Sequence, residues 1–236
     1  PICADMAEFA EMLEEWRDPD LVRFSCGEQA HAEWLQWSEP SPRDGVTLDL
    51  GPCVKAMREK LPENTIVCNG AGNFSGWWHR YWRYGCMPTQ LAPTSGTMGY
   101  GLPAAVAAAL RFSDRPVVCV AGDGDFLMNG QELATAAQHG ADLLVIVVDN
   151  GSYGTIRMHQ EREYPSRLSA TQLSNPDFAA LARAFGGWAE TIERTEDFAP
   201  ALDRALEQKG IRLLHCKTDV EQITNATTIS KIREKA

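Results

Sequence analysis

Pro116–Gly124 reads PVVCVAGDG and Leu143–Gly151 reads LLVIVVDNG. In each, six apolar residues in a row end abruptly in glycine and short polar side chains. Continuous rather than alternating apolarity marks strands buried on both faces, the condition of a parallel sheet covered by helices on each side. Between Gly124 and Asp149 stand 24 residues, room for one helix, two turns and the next strand. The two runs therefore read as neighbouring strands, with Asp123 and Asn150 at their carboxyl ends. Ligands of open α/β sheets bind at those ends.

The same alternation extends in both directions. Upstream, residues 48–60 predict a helix, 65–68 a short buried strand, 70–76 a Gly-rich turn and 89–92 a second extended segment. Residues 103–112 predict an Ala-rich helix with Pro103 at its first position, where the missing N–H costs nothing. Downstream, a helix is expected near 130–139. Ser174-Asn175-Pro176 reads as the cap of a helix that stops at Gly186-Gly187. Strand 188–192, helix 196–208 and strand 211–217 complete the series. The fold class is α/β: a doubly wound, mostly parallel sheet with helices on both faces. Residues 4–16 and 27–38 predict two amphipathic helices of an appendage over 1–38. Residues 39–46, EPSPRDGV, read as a linker, since two prolines and a glycine stop helix and strand alike. The α/β domain occupies 47–236.

Composition narrows the function. A net charge of −10 argues against nucleic acid or an anionic membrane as the main partner. No apolar stretch approaches the roughly 18 residues of a membrane span, and no signal peptide opens the chain. The seven cysteines are scattered, odd in number and never spaced C-x-x-C. They read as reduced thiols of a cytoplasmic protein. The chain begins at Pro1 without Met and so reads as a fragment or a processed piece. Within this acidic chain, residues 64–113 contain no Asp or Glu, only Arg80, Arg83 and Arg111 among the strong bases. Such a window accommodates an anion or is simply buried.

A carboxylate (Asp123) and an amide oxygen (Asn150) side by side are hard ligands suited to Mg²⁺, which completes its shell with water and phosphates. A helix starting near Asn129 would turn its N-terminus to the same place. The plain alternative is a pair of polar turns. The turn Gly70-Ala71-Gly72-Asn73-Phe74-Ser75-Gly76 resembles a dinucleotide fingerprint. The acid expected about 20 residues on is missing, although Arg80 or Arg83 leaves an NADP-like site open. A non-catalytic phosphate-ligand or NADP-type nucleotide-binding module is thus the alternative reading. Trp77, Trp78, Tyr81 and Trp82 read as packing or a subunit interface rather than a substrate box.

Gly122-Asp123-Gly124, 24 residues, then Asp149-Asn150 resembles the thiamine diphosphate and magnesium motif, Gly-Asp-Gly followed about two dozen residues later by Asn-Asn. The flanking text, APTSGTMGYGLPAA at 92–105 and AGDGDFLMNGQELATA at 121–136, is similar to acetolactate synthase-like and related 2-oxo acid decarboxylases. The resemblance implies that residues 47–236 are the diphosphate-binding (PP) domain of that family and that 1–38 is the tail of the preceding central domain. It implies Mg²⁺ ligation by Asp123, Asn150 and the backbone carbonyl of Ser152, completed by two diphosphate oxygens and a water. Gly72 and Asn73 would offer backbone N–H groups to the diphosphate. Gly124, Asp125, Tyr153, Gly154 and Thr155 would line the diphosphate and thiazolium side. Gly96 would offer its carbonyl to the aminopyrimidine, and Met98 would hold the cofactor bent.

Four positions depart from that pattern. Asp149 stands where the first Asn is usual, and Asp125 puts a carboxylate where Ser or Ala is common. His159 replaces a pocket Trp of the branched-chain acetolactate synthases, and Phe74 replaces a polar residue. His159 is a candidate acid or base near the substrate, or else a helix-surface histidine. The Glu that such enzymes direct at the pyrimidine ring lies in a separate PYR domain, on the same enzyme or a companion subunit. This chain alone is therefore expected to hold half an active site. A homodimer or tetramer acting on a small 2-oxo acid is the implied assembly.

Overall fold

The computed structural model describes residues 5–15 and 26–235. Residues 4 and 16 of the first predicted helix and Cys3 lie outside the described residues. The chain divides into two compact units, residues 1–37 and 38–236. The first carries α1 (Met6–Glu15) and α2 (Cys26–Trp37).

The second unit is built on six strands: β1 (Ile66–Asn69), β2 (Gln90–Leu91), β3 (Val117–Gly122), β4 (Leu143–Asp149), β5 (Trp188–Ile192) and β6 (Ile211–Lys217). Their order is β2-β1-β3-β4-β6-β5, and every pairing is parallel. Along each central strand alternate residues go to opposite faces. Val118, Val120, Leu144, Ile146 and Leu214 join one core with α3 (Leu50–Lys60), α4 (Ser75–Tyr81) and α10 (Thr195–Leu206). Val117, Cys119, Val145, Val147 and Leu213 join the other core with α5 (Gly101–Arg111), α6 (Asp123–Asn129), α7 (Leu133–His139) and α9 (Phe178–Ala184). Burial of a Leu- or Val-sized side chain contributes about 1.5–3 kcal/mol, so these two layers hold the sheet. Trp77, Trp78, Tyr81 and Trp82 are buried in the first core, which makes that cluster packing. Two further helices, α8 (Gly154–Glu163) and α11 (Ile229–Arg233), join through Met158, Ile229 and Ile232.

Three local expectations are corrected. The helix after β3 begins at Asp123 rather than near Asn129, because the chain turns into α6 directly from the strand and breaks at the 3₁₀ turn Gly130–Glu132 before α7. Pro103 is the third residue of α5, still within the first turn whose N–H groups lack intrahelical partners. The cap of α9 is Asp177, whose side chain accepts from Ala180 N. Asn175 is engaged elsewhere. Residues 39–46 form neither helix nor strand, yet Glu39 pairs with Lys55, Arg58 and Arg83. Hydrogen bonds from Lys55 and Arg58 hold its carboxyl down at about 2.

Candidate functional site

The order of the strands reverses between β1 and β3, since the chain winds outward to β2 on one side and to β4 on the other. Such a switch point leaves a crevice at the carboxyl ends of the two strands. A cleft of about 660 Å³ lies there. Its wall comes from the loop after β1 (Ala71, Gly72, Asn73, Phe74), the corner after β3 (Gly122–Asp125) and the segment after β4 (Asn150, Ser152–Ile156). Met98 comes from the loop before α5, and Thr218, Gln222 and Ile223 come from the chain beyond β6. Of the predicted site residues, Gly72, Asn73, Met98, Asp123, Gly124, Asp125, Asn150, Ser152, Tyr153, Gly154 and Thr155 all line this one cleft. Gly96 lies outside its lining, exposed, with φ +68°. His159 is exposed on α8 and does not line the cleft. Within the acid-free window, Ala71–Phe74 border the cleft while β1 and much of α5 are buried, so both readings of that window hold for parts of it. Arg83 is turned to Ser38 and Glu39.

Asp123 is held from three sides. Its Oδ1 accepts from Gly124 N at 2.9 Å, and its Oδ2 accepts from Gly151 N at 2.8 Å and Asn175 Nδ2 at 2.7 Å. The same Asn175 Nδ2 donates to Asp149 Oδ1 at 2.7 Å. Asn150 Oδ1 accepts from Ser152 N at 3.0 Å, which fixes the turn that carries the segment into α8. Burial pushes the Asp123 carboxyl up to about 6, against the pull of the Asn175 and Gly124 hydrogen bonds. Asp149 is also buried, but its bonds from His215, Asn175 and Gly151 outweigh that cost and hold it below the usual range. Of the two, Asp123 is the one that keeps a proton as pH falls.

Asp125, which the sequence leaves beside a diphosphate, points elsewhere. Its Oδ1 accepts from Gly99 N at 2.8 Å and Ala71 N at 3.1 Å. Burial raises it to about 6 despite those bonds. Gly70 is glycine because of it: a Cβ there would fall 1.8 Å from Asp125 Oδ2.

The cleft also has an anion-receptive side. Helix α8 starts at Gly154 with no side-chain cap, so the N–H groups of its first turn lack intrahelical partners where Tyr153, Gly154, Thr155 and Ile156 face the cleft. Asn73 N donates to Thr155 Oγ1 at 3.1 Å and Thr155 Oγ1 donates to Asn73 Oδ1 at 3.0 Å, tying the β1 loop to that turn. Among the described residues, no three His, Cys, Asp or Glu side chains gather as a metal cluster. A magnesium site on one carboxylate, one amide oxygen, one carbonyl and phosphate oxygens needs no such cluster. The donor set and the uncapped turn thus fit a magnesium–diphosphate group. Asn175, His215, Thr218, Gln222 and Ile223 were not found from the sequence; the only signal was Asn175 in a Ser-Asn-Pro segment that reads equally well as a cap.

Fold and cleft together define an α/β protein that holds a phosphorylated cofactor at a sheet switch point. Residues 70–216 match the family described as thiamine pyrophosphate enzyme, C-terminal TPP binding domain, and the chain belongs to that family. Thiamine diphosphate is the family's cofactor. The chain is 35% identical over 186 residues to the acetolactate synthase isozyme 2 large subunit of Escherichia coli (strain K12), covering 78% of this chain and 33% of that protein. It is 27% identical over 215 residues to the sulfoacetaldehyde acetyltransferase of Alcaligenes xylosoxydans xylosoxydans, covering 88% of this chain and 34% of that protein. Among solved structures, the Rhodococcus jostii RHA1 thiamine diphosphate-dependent 4-hydroxybenzoylformate decarboxylase superimposes with a TM-score of 0.71 at 28% identity, over 77% of this chain and 34% of that one. The chain spans about a third of the length of these relatives. Among the described residues, no helix is long and apolar enough to cross a membrane.

Proposed function

We propose that this chain supplies the magnesium–diphosphate half of the active site of a thiamine diphosphate-dependent decarboxylase or carboligase, acetolactate synthase-like, acting on a small 2-oxo acid in the cytoplasm. The observation that carries the reading is the meeting of Asp123, Asn150, Ser152 and the uncapped start of α8 in one cleft at the switch point. Asp123, the amide oxygen of Asn150 and the carbonyl of Ser152 would hold Mg²⁺. Gly72, Asn73, Gly124, Tyr153, Gly154 and Thr155 would line the diphosphate, with the α8 N–H groups facing its charge. Met98 would give an apolar wall to the ring system, and Gly96 a carbonyl to the aminopyrimidine. When bound, thiamine diphosphate supplies the electron sink that lets a bond beside a keto carbon break or form.

The residues of this chain anchor and orient; none of them is placed to exchange a proton with substrate, and His159 is turned out to solvent. That division supports a companion PYR domain carrying the acid. An apolar groove beside the cleft, lined by Leu91, Met98, Tyr100, Pro103, Ala104 and Ala107, supports a face covered by that domain, in a homodimer or tetramer. The test is reconstitution. The isolated chain is expected to release no CO₂ from a 2-oxo acid with thiamine diphosphate and Mg²⁺, and to gain that activity with the companion domain. Measurable turnover by the isolated chain would sink the proposal.

A further inference from the structure

Helix α6 carries Asp125 and Asn129 four residues apart, on one face. They grip opposite ends of a single residue. Gly99 N donates to Asp125 Oδ1 at 2.8 Å, and Asn129 Nδ2 donates to Gly99 O at 2.8 Å. Gly99 is buried and left-handed, with φ +86°, and a Cβ on it would lie 2.7 Å from Asn129 Nδ2. The grip therefore closes directly on the backbone, with no room for a side chain. The same Asp125 Oδ1 also accepts from Ala71 N at 3.1 Å. One carboxylate oxygen thus ties the loop after β1 and the loop before α5 to the corner that follows β3, and those are three of the walls of the cleft.

We propose that Asp125 and Asn129 form a clamp that sets the position of Met98 through the backbone of Gly99, making them positioning residues for the cofactor's ring system rather than contacts of its diphosphate. This deepens the thiamine diphosphate reading and rests on it. It also accounts for a carboxylate beside a diphosphate: its charge is turned onto two backbone N–H groups, away from the phosphate oxygens.

Two probes separate ring from diphosphate. Inorganic diphosphate with Mg²⁺ reads only the metal and phosphate side; thiamine diphosphate with Mg²⁺ reads the Met98 wall as well. Calorimetry on the intact protein with its companion domain is run with both, on wild type, Asn129→Ala, Asp125→Ala and Asp125→Asn. Asn129→Ala and Asp125→Ala are expected to weaken thiamine diphosphate about tenfold, the usual scale for a supporting shell, and to leave inorganic diphosphate unchanged. Asp125→Asn keeps the Oδ1 acceptor and is expected to retain the wild-type affinity for both. Half-buried Asn129 carries the test if Asp125→Ala does not fold. An equal loss for both probes in Asn129→Ala overturns the clamp, as does no loss for either. Wild type that binds neither probe overturns the thiamine diphosphate reading, and the clamp with it.

Discussion

His215 Nε2 lies 2.8 Å from Asp149 Oδ2, and both side chains are largely withdrawn from solvent. The pairing follows from the sheet: β6 runs beside β4 with His215 opposite Val147, so its ring reaches Asp149 one pleat further along the same face. The carboxylate that departs from the family's Asn is thus held at both oxygens, by His215 on one and by Asn175 and Gly151 on the other. Asn175 then hands the same geometry on to Asp123.

Removal of His215 should therefore cost stability through Asp149. His215→Ala leaves a buried carboxylate oxygen without its donor, a loss of about 1–3 kcal/mol. In an Asp149→Asn background the same substitution should cost clearly less. Urea denaturation of the four proteins gives the coupling directly. Additive losses would show that His215 acts by packing on Phe178 instead.

Asp123→Ala should abolish Mg²⁺-dependent binding of thiamine diphosphate in the assembled enzyme while Asp149→Asn keeps most of it. Calorimetry with and without Mg²⁺ checks this, and an unchanged affinity in Asp123→Ala refutes the metal assignment.

The two raised carboxyls set a pH dependence of stability in the cation-free protein. A folded-state value of about 6 for Asp125 means that its favourable contribution is complete at low pH and is lost as pH rises through 6. His79, lowered by burial, acts the opposite way near the same pH, and Asp149 titrates below this window. The paired difference between wild type and Asp125→Asn cancels the last two. Wild type should gain on Asp125→Asn between pH 7 and pH 5, measured as the shift in urea midpoint. A flat difference would mean that the Asp125 carboxyl is not raised.

Gly70→Ala should destabilise by about 1–3 kcal/mol, the cost of overpacking, since its new Cβ collides with Asp125 Oδ2. The collision is with one side chain, so Gly70→Ala combined with Asp125→Ala should cost less than the two changes added. Thermal unfolding of the set decides it; strict additivity would place the strain elsewhere.

The parts of the site legible in the sequence are those that sit at strand ends in consecutive order. Asp123 and Asn150 follow uninterrupted apolar runs, and Gly72 and Met98 lie in turns whose glycines announce them. Asn175, His215 and Gln222 were not legible for a physical reason. They reach the cleft only because β6 is laid between β4 and β5, a choice of neighbour that no local pattern encodes. Asn175 was misread because an Asn before Pro serves equally as a cap or as a bridge between two carboxylates. The geometry of Asp125 was hidden likewise, since its partners Ala71 and Gly99 lie 54 and 26 residues away.

The insertion of β6 has a consequence for biosynthesis. By the time Thr155 leaves the ribosome, every residue of the magnesium motif has been made, yet the strand that steadies Asp149 and the segment that supplies Thr218, Gln222 and Ile223 do not exist. Strand β5, made earlier, has no neighbour to pair with until β6 arrives between it and β4. The cofactor pocket is thus a late, all-at-once event of the chain's maturation, and thiamine diphosphate meets it only as a finished whole.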